Sequence, residues 1–247
     1  MKAFITTVAG MATRFSKDFD TPQLKCIYNN GDFTKTLLYR LLSLAEEYDR
    51  LTVVGGFMFE SLCEYTKKLP EKIRSKLLLV KNPHYENYGS GYSLYLGLLA
   101  LENTDYEEIL FAEGDLFFGK ESFRKLCALK CDAVTVNMEP ITADKSVAFY
   151  LDDKEKINYI YDTSHGFLEI NKPFKAIYNS AQIWKFTNCR LLFELARSLG
   201  EKGNSGTNLV LINKYYQSEE RSGEIKKVLI DNWLNCNTVA DFNKAAF

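Results

Sequence analysis

Four short stretches hold the residues best able to do chemistry. In the first, Ala9-Gly10-Met11-Ala12-Thr13-Arg14, a run of mostly small residues ends in one cation. Backbone N–H groups in such a turn can cradle phosphate oxygens, and a guanidinium can grip phosphate with two parallel hydrogen bonds. An ordinary strand-to-helix turn accounts for the same residues on spacing alone. In Thr21-Pro22-Gln23-Leu24-Lys25-Cys26-Ile27-Tyr28, Lys25 stands in apolar surroundings. It reads either as a surface lysine beside a half-buried strand or as a compact positive charge for phosphate. Residues 82–98, NPHYENYGSGYSLYLGL, form a turn-rich loop opening an apolar helix. Tyr85, Tyr88 and Tyr92 there can simply pack, or, with Asn82 and Asn87, can stack a base and hydrogen-bond its edge. Finally, the apolar run 109–112 ends in Glu113-Gly114-Asp115. Carboxylates at such a strand end need water, a partner or a metal, and a hard cation such as magnesium suits their oxygens. A loop carboxylate capping the next helix is the plainer alternative.

Local periodicity predicts the elements that position these stretches. Short apolar runs at 4–8, 51–54, 77–80 and 108–112 read as strands, and helical spacing appears over 35–48, 59–68 and 92–101. Such alternation implies a mostly parallel sheet covered on both faces, with ligands bound beyond the carboxyl ends of its strands. The first and last of the four stretches sit at such ends. From residue 131 the pattern changes to strands at 131–138, 147–151, 157–161 and 175–183, with helices at 191–198 and 208–216. The expected fold is α/β: one three-layer Rossmann-like domain over 1–247, with a mostly parallel mixed sheet and a mixed insertion in the second half.

Composition narrows the function classes. Net charge is −1, from 31 basic and 32 acidic residues, which argues against a general nucleic-acid binder. Of the six cysteines only Cys127 and Cys131 are close, and the chain has two histidines, so a zinc site is not expected. The N-terminal MKAFITTV reads as a strand rather than a secretion signal, and no apolar run approaches the ~20 residues needed to cross a bilayer. Reduced thiols, a cytoplasmic location and no membrane partner are the expectations.

Taken together and in chain order, the four stretches resemble the nucleotidyltransferase superfamily. Gly10-Met11-Ala12-Thr13-Arg14 resembles its G-x-G-[ST]-R loop, with Ala12 in place of the second glycine. Pro22 to Ile27 is similar to its P-K-x-L segment with Lys25 as the matching lysine, and Leu51 to Phe57 is similar to its next strand and turn. Tyr85 to Leu96, YENYGSGYSLYL, resembles the phosphocholine cytidylyltransferase branch, whose members activate small phosphorylated or phosphonate compounds. Glu113-Gly114-Asp115 looks like the D-x-D metal strand, and residues 233–242 look like the W-x-E-I-D segment, with Asn235 and Asn237 where acids are expected.

The resemblance implies transfer of a nucleotide from CTP to a small phosphorylated acceptor, as in making precursors of cell-surface polysaccharide. Residues 1–118 would be the nucleotide half and 119–247 the acceptor half. Lys25 and Arg14 would be catalytic. Ala9, Gly10, Met11, Ala12, Thr13, Tyr88, Ser90, Gly91 and Ser93 would bind nucleotide. Asp115 and Asn237 would hold Mg²⁺. Tyr92, Glu113, Tyr178, Asn179, Gln182 and Lys185 would meet the acceptor, where an aromatic set could hold a quaternary ammonium group. The chain would act as a monomer or homodimer. A sugar-1-phosphate nucleotidyltransferase using UTP or another NTP, and a nucleotide-binding protein without turnover, are the alternatives.

Overall fold

Strands too apolar to keep a wet face set the centre of the molecule. The structure, a computed structural model, describes residues 1–161 and 166–247. In it β1 (Lys2–Val8), β2 (Arg50–Gly55), β3 (Leu77–Lys81) and β4 (Glu108–Glu113) pair in parallel in the order β4-β1-β2-β3. Side chains alternate along β1, so Phe4 joins Leu38, Leu41 and Leu62 on one face while Ile5 joins Leu94 and Leu98 on the other. Both faces are therefore dry, which is why these strands read as continuous apolar runs.

The helices of this half are α1 (Thr13–Ser16), α2 (Leu37–Leu44), α3 (Phe59–Thr66), α4 (Glu71–Arg74) and α5 (Ser90–Leu99); α1 buries Phe15 in a separate cluster with Phe117 and Phe242. The helix predicted over 35–48 is shorter. Thr36 caps it, accepting the Tyr39 N–H at 3.0 Å, and after Leu44 the chain turns so that Tyr48 can donate to the buried Glu108 at 2.7 Å.

The second half continues the same sheet. After the short β5 (Leu116–Phe117) and α6 (Lys120–Ala128) come β6 (Asp132–Asn137), β7 (Ala148–Asp152), β8 (Ile157–Tyr159) and the long β9 (Phe174–Phe186). Helices α7 (Cys189–Gly203) and α8 (Leu209–Gln217) lead to β10 (Ile225–Leu229), β11 (Leu234–Asn235) and α9 (Val239–Lys244). The main order is β10-β6-β9-β4-β1-β2-β3, with β9 antiparallel to both its neighbours and β7 and β8 forming a hairpin beside it. The expected mostly parallel mixed sheet is what forms.

Seven elements had no counterpart in the periodicity: the very short α1, α4, β5 and β11, and the longer α6, β10 and α9. In α6 the only large buried apolar side chains are Phe123 and Leu126, β10 is an edge strand carrying exposed Lys226 and Lys227, and α9 buries Phe242. Short elements with little apolar content leave a weak pattern. Among the described residues, no helix is long and apolar enough to cross a membrane.

Candidate functional site

Beyond the carboxyl ends of β1 and β4 lie two neighbouring cavities, of about 460 and 730 Å³, and Ser90, Glu113 and Asp115 line both. The first is bounded by Ala9, Gly10, Met11 and Ala12, by Lys25, and by Tyr88, Ser90 and Ser93. The second is bounded by Thr13, Arg14, Gln182 and Asn237. Residues that the sequence placed in one nucleotide set thus divide between two spaces, with Thr13 on the far side beside the catalytic candidate Arg14.

The turn after β1 is open. The amides of Gly10, Met11 and Ala12 donate to nothing among the described residues, and a Cβ on Gly10 would meet no atom within 4 Å. Ala12 takes a left-handed backbone, φ 50° and ψ 36°. This conformation crowds a Cβ against the following carbonyl and costs an L-residue about 1–2 kcal/mol. It explains why a glycine suits the position, and the turn keeps its shape without one.

Opposite the turn, Lys25 opens a 3-10 turn (Lys25–Ile27) anchored by buried Cys26, whose thiol is pushed up to about 12 by burial and stays protonated. The Lys25 Nζ donates to Asp115 Oδ2 at 2.8 Å, with both side chains largely shielded. Gly114 is required here, because β4 crosses the end of β1 so closely that a Cβ would lie 2.6 Å from the Thr7 carbonyl oxygen. Glu113 accepts hydrogen bonds from the Thr7 hydroxyl at 3.0 Å and from the Asn208 amide. Burial, and then the neighbouring Asp115 charge, push its carboxyl up to about 7.

The C-terminal segment closes the site. The Cys236 N–H donates to the Asp115 carbonyl at 2.9 Å, and β11 pairs with β5, so residues 235–237 lie against the acidic strand end. Asn237 Oδ1 accepts from Arg14 Nη2 at 3.0 Å. Asn235 also lines the second cavity, and its Oδ1 is buried with no hydrogen-bond partner. Such an atom is costly unless something outside the chain fills it. Among the described residues no group of three His, Cys, Asp or Glu could hold a metal. The donors that fit a hard cation here are therefore oxygens of mixed type: the Asp115 carboxylate and Asn235 Oδ1, completed by oxygens of a bound ligand. Asn237, the sequence choice, also lines this cavity, with one hydrogen bond from Arg14 on its oxygen.

Several expected acceptor residues lie elsewhere. Lys185 is fully buried, 2.9 Å from Glu108 Oε2 and 3.0 Å from the Cys127 carbonyl oxygen, and serves the sheet interior. Tyr178 stacks on Phe149 and its hydroxyl accepts from Lys227, while Asn179 donates to the Glu139 carbonyl at 3.2 Å; neither borders either cavity. Tyr92 is buried edge-on against Tyr88 at 5.0 Å and also borders neither.

The Gly91 amide is also committed, donating to the Gly206 carbonyl at 2.9 Å. The segment 203–208, GNSGTN, crosses the start of α5 so tightly that a Cβ on Gly89 would lie 2.4 Å from the Gly206 oxygen. It brings Asn208 to Glu113, a contact the sequence analysis missed. Its two glycines and polar residues between helices were the available signal. Ser146 was missed as a cavity-lining residue as well.

The family model described as "Domain of unknown function (DUF6564)" matches residues 21–247. The chain belongs to this family. No curated protein matches it in sequence. Among solved structures it is similar to CTP:phosphocholine cytidylyltransferase from Streptococcus pneumoniae, with a TM-score of 0.66 and 16% identity over 98% of this chain and 96% of that one. It is also similar to the inositol-1-phosphate CTP transferase from T. maritima, with a TM-score of 0.66 and 15% identity over 100% of this chain and 95% of that one. UDP-glucose pyrophosphorylase complexed with UDP-glucose gives a TM-score of 0.68 and 16% identity over 99% and 97%. The chain therefore has the nucleotidyltransferase fold, in agreement with the superfamily that its motifs resemble, and a cytidylyltransferase of the branch closest in motif is among these neighbours.

Proposed function

We propose that the chain is a nucleotidyltransferase that joins CTP to a small acceptor carrying a phosphate or phosphonate and releases pyrophosphate. An acceptor oxygen bonds to the α-phosphorus while the bond from that phosphorus to the β-bridging oxygen breaks, and pyrophosphate leaves with the electron pair. The attacking oxygen is largely ionised near neutral pH, so no protein base is needed. The task left to the protein is positioning and charge neutralisation.

One observation carries the reading. Lys25 is fixed by Asp115 at 2.8 Å beside the junction of two cavities, across from a turn with free backbone amides. The amides of Gly10, Met11 and Ala12 would take phosphate oxygens. Lys25 would neutralise charge developing on the α-phosphoryl group. Arg14, with Asn237 holding its guanidinium, faces the second cavity and would meet phosphate oxygens there. Tyr88, Ser90 and Ser93 would border the base. Asp115 and Asn235 would hold Mg²⁺, which when bound neutralises phosphate charge.

CTP is favoured by the likeness of residues 85–96 to the cytidylyltransferase branch; UTP or another NTP with a sugar 1-phosphate is the alternative. Nucleoside triphosphate use and reduced thiols suit the cytoplasm. A nucleotide-binding protein without turnover is favoured by one observation, the asparagines at 235 and 237 where the likeness expects acids. Pyrophosphate release, measured for CTP, UTP, ATP and GTP against a panel of phosphorylated acceptors, tests the proposal: the enzyme releases pyrophosphate with one pairing, and a pure binder with none.

A further inference from the structure

Strand β9 carries an irregularity that costs stability and aims one side chain. Val134 of β6 pairs with Trp184, but Val136 pairs with Ser180, so β9 bulges between these points. Inside the bulge Gln182 adopts φ 59°, a left-handed backbone that a non-glycine residue rarely takes in a strand. Side chains outside the ladder satisfy the bulged backbone. The Thr135 hydroxyl accepts from the Ile183 N–H at 3.1 Å and donates to the Ile183 carbonyl at 2.8 Å. Ser180 Oγ accepts the Gln182 N–H at 3.1 Å, Asn137 donates to the Ser180 carbonyl at 2.9 Å, and the Trp233 indole donates to the Ala181 carbonyl at 2.9 Å.

What this arrangement leaves unspent is the Gln182 amide. The residue is 7% exposed and lines the second cavity, and its side chain has no hydrogen-bond partner among the described residues. Bulges re-aim side chains, and a strained residue held by its surroundings points to function.

We propose that Gln182 reads the part of the acceptor beyond its phosphate, and that this part carries neighbouring hydroxyls, as in a polyol or sugar phosphate, rather than a quaternary ammonium group. The inference rests on the nucleotidyl-transfer reading. A carboxamide presents an acceptor and a donor side by side, which matches two adjacent hydroxyls. A quaternary ammonium has no hydrogen to donate and is held by aromatic faces. Among the described residues Trp184 is the one aromatic residue lining this cavity, and it is 1% exposed, stacked on Phe111 at 5.3 Å, with its indole N–H given to Tyr159.

The test uses the full chain with CTP and Mg²⁺, and with myo-inositol 1-phosphate, D-glucose 1-phosphate, glycerol 3-phosphate and phosphocholine as probes. Glycine adopts the observed φ freely, so Gln182→Gly should fold with an unchanged or higher Tm. Losing the paired hydrogen bonds should raise KM for the best hydroxylated probe about tenfold, with KM for CTP unchanged. Gln182→Asn, which tolerates the backbone but is one methylene shorter, should fall between. Preference for phosphocholine would overturn the inference. So would an unchanged acceptor KM in Gln182→Gly, or CTP binding by calorimetry without turnover of any hydroxylated probe. Absence of nucleotide binding with all four NTPs would overturn the transfer reading as well.

Discussion

The two cavities are built in different ways. Around the first, the working groups follow directly from the ends of two strands adjacent in the sheet: the amides of residues 10–12 after β1, and Glu113 and Asp115 at and just after the end of β4. Around the second, they are brought together by long-range devices: the β9 bulge, segment 203–208 crossing α5, and β11 laid against β5. Backbone amides and charges at strand ends are groups that a short motif can specify. Side chains drawn from distant segments can vary without disturbing them.

The contrast is testable, and Lys25 carries the largest expected effect. Lys25→Ala should lower turnover by ~100-fold or more, the scale of a single electrostatic stabiliser, with CTP and acceptor KM changed far less. Steady-state pyrophosphate release decides this, and near-normal turnover in the folded variant would detach the lysine from the chemistry.

The metal donors come next. Activity should vanish with EDTA and in Asp115→Ala. Asn235→Asp should then lower the magnesium concentration needed for nucleotide binding by a factor of several, because a charge replaces an unpartnered neutral oxygen. Asn237→Asp should act less on magnesium, since its oxygen is held by Arg14 at 3.0 Å. Magnesium titrations of both variants compare them directly; a larger response at 237 would reverse the assignment.

A third expectation concerns pH and the shared wall of the cavities. Burial raises the Glu113 carboxyl from its ordinary 4.5 to about 7. Its stabilising contribution is therefore present below about 4.5 and is lost as pH rises through about 7. In metal-free protein, Glu113→Gln should match the parent near pH 4.5 and melt higher at pH 8. Parallel Tm-versus-pH curves for the two proteins would show that Glu113 is already ionised below this range.

Ala12 gives the smallest effect. Glycine relieves its left-handed backbone but frees the unfolded chain, so Ala12→Gly should stabilise by about 0.5–1 kcal/mol. Urea unfolding measures it, and destabilisation would mean that the alanine methyl packs usefully.

Much of the first cavity was legible in the sequence because its determinants are local. The apolar runs 4–8 and 108–112 announced strands buried on both faces, and the residues just beyond them marked the site. Gly10, Lys25, Glu113 and Asp115 all line the first cavity. Misreadings cluster where side-chain direction depends on partners far away. Lys185 lies two residues beyond the strand expected at 175–183, on the longer β9, and the register that sets Leu110 against it and Trp184 against Phe111 turns its ammonium inward to Glu108. Tyr92 follows the loop glycines, yet helix geometry folds it back onto Tyr88 and His84.

The sequence by itself determined the alternating strands and helices of the first half, the parallel pairing they form and the small-residue turn after the first strand. Each of these is written in the period and spacing of neighbouring residues. Only the tertiary structure decided which of Asn235 and Asn237 keeps a free oxygen, that Asn208 meets Glu113, and that Gln182 is held in a bulge facing the second cavity. Those outcomes turn on contacts between residues as much as 223 positions apart, as between Arg14 and Asn237. No local pattern records such pairings, because they exist only once the sheet has closed and its register has chosen which way each side chain points.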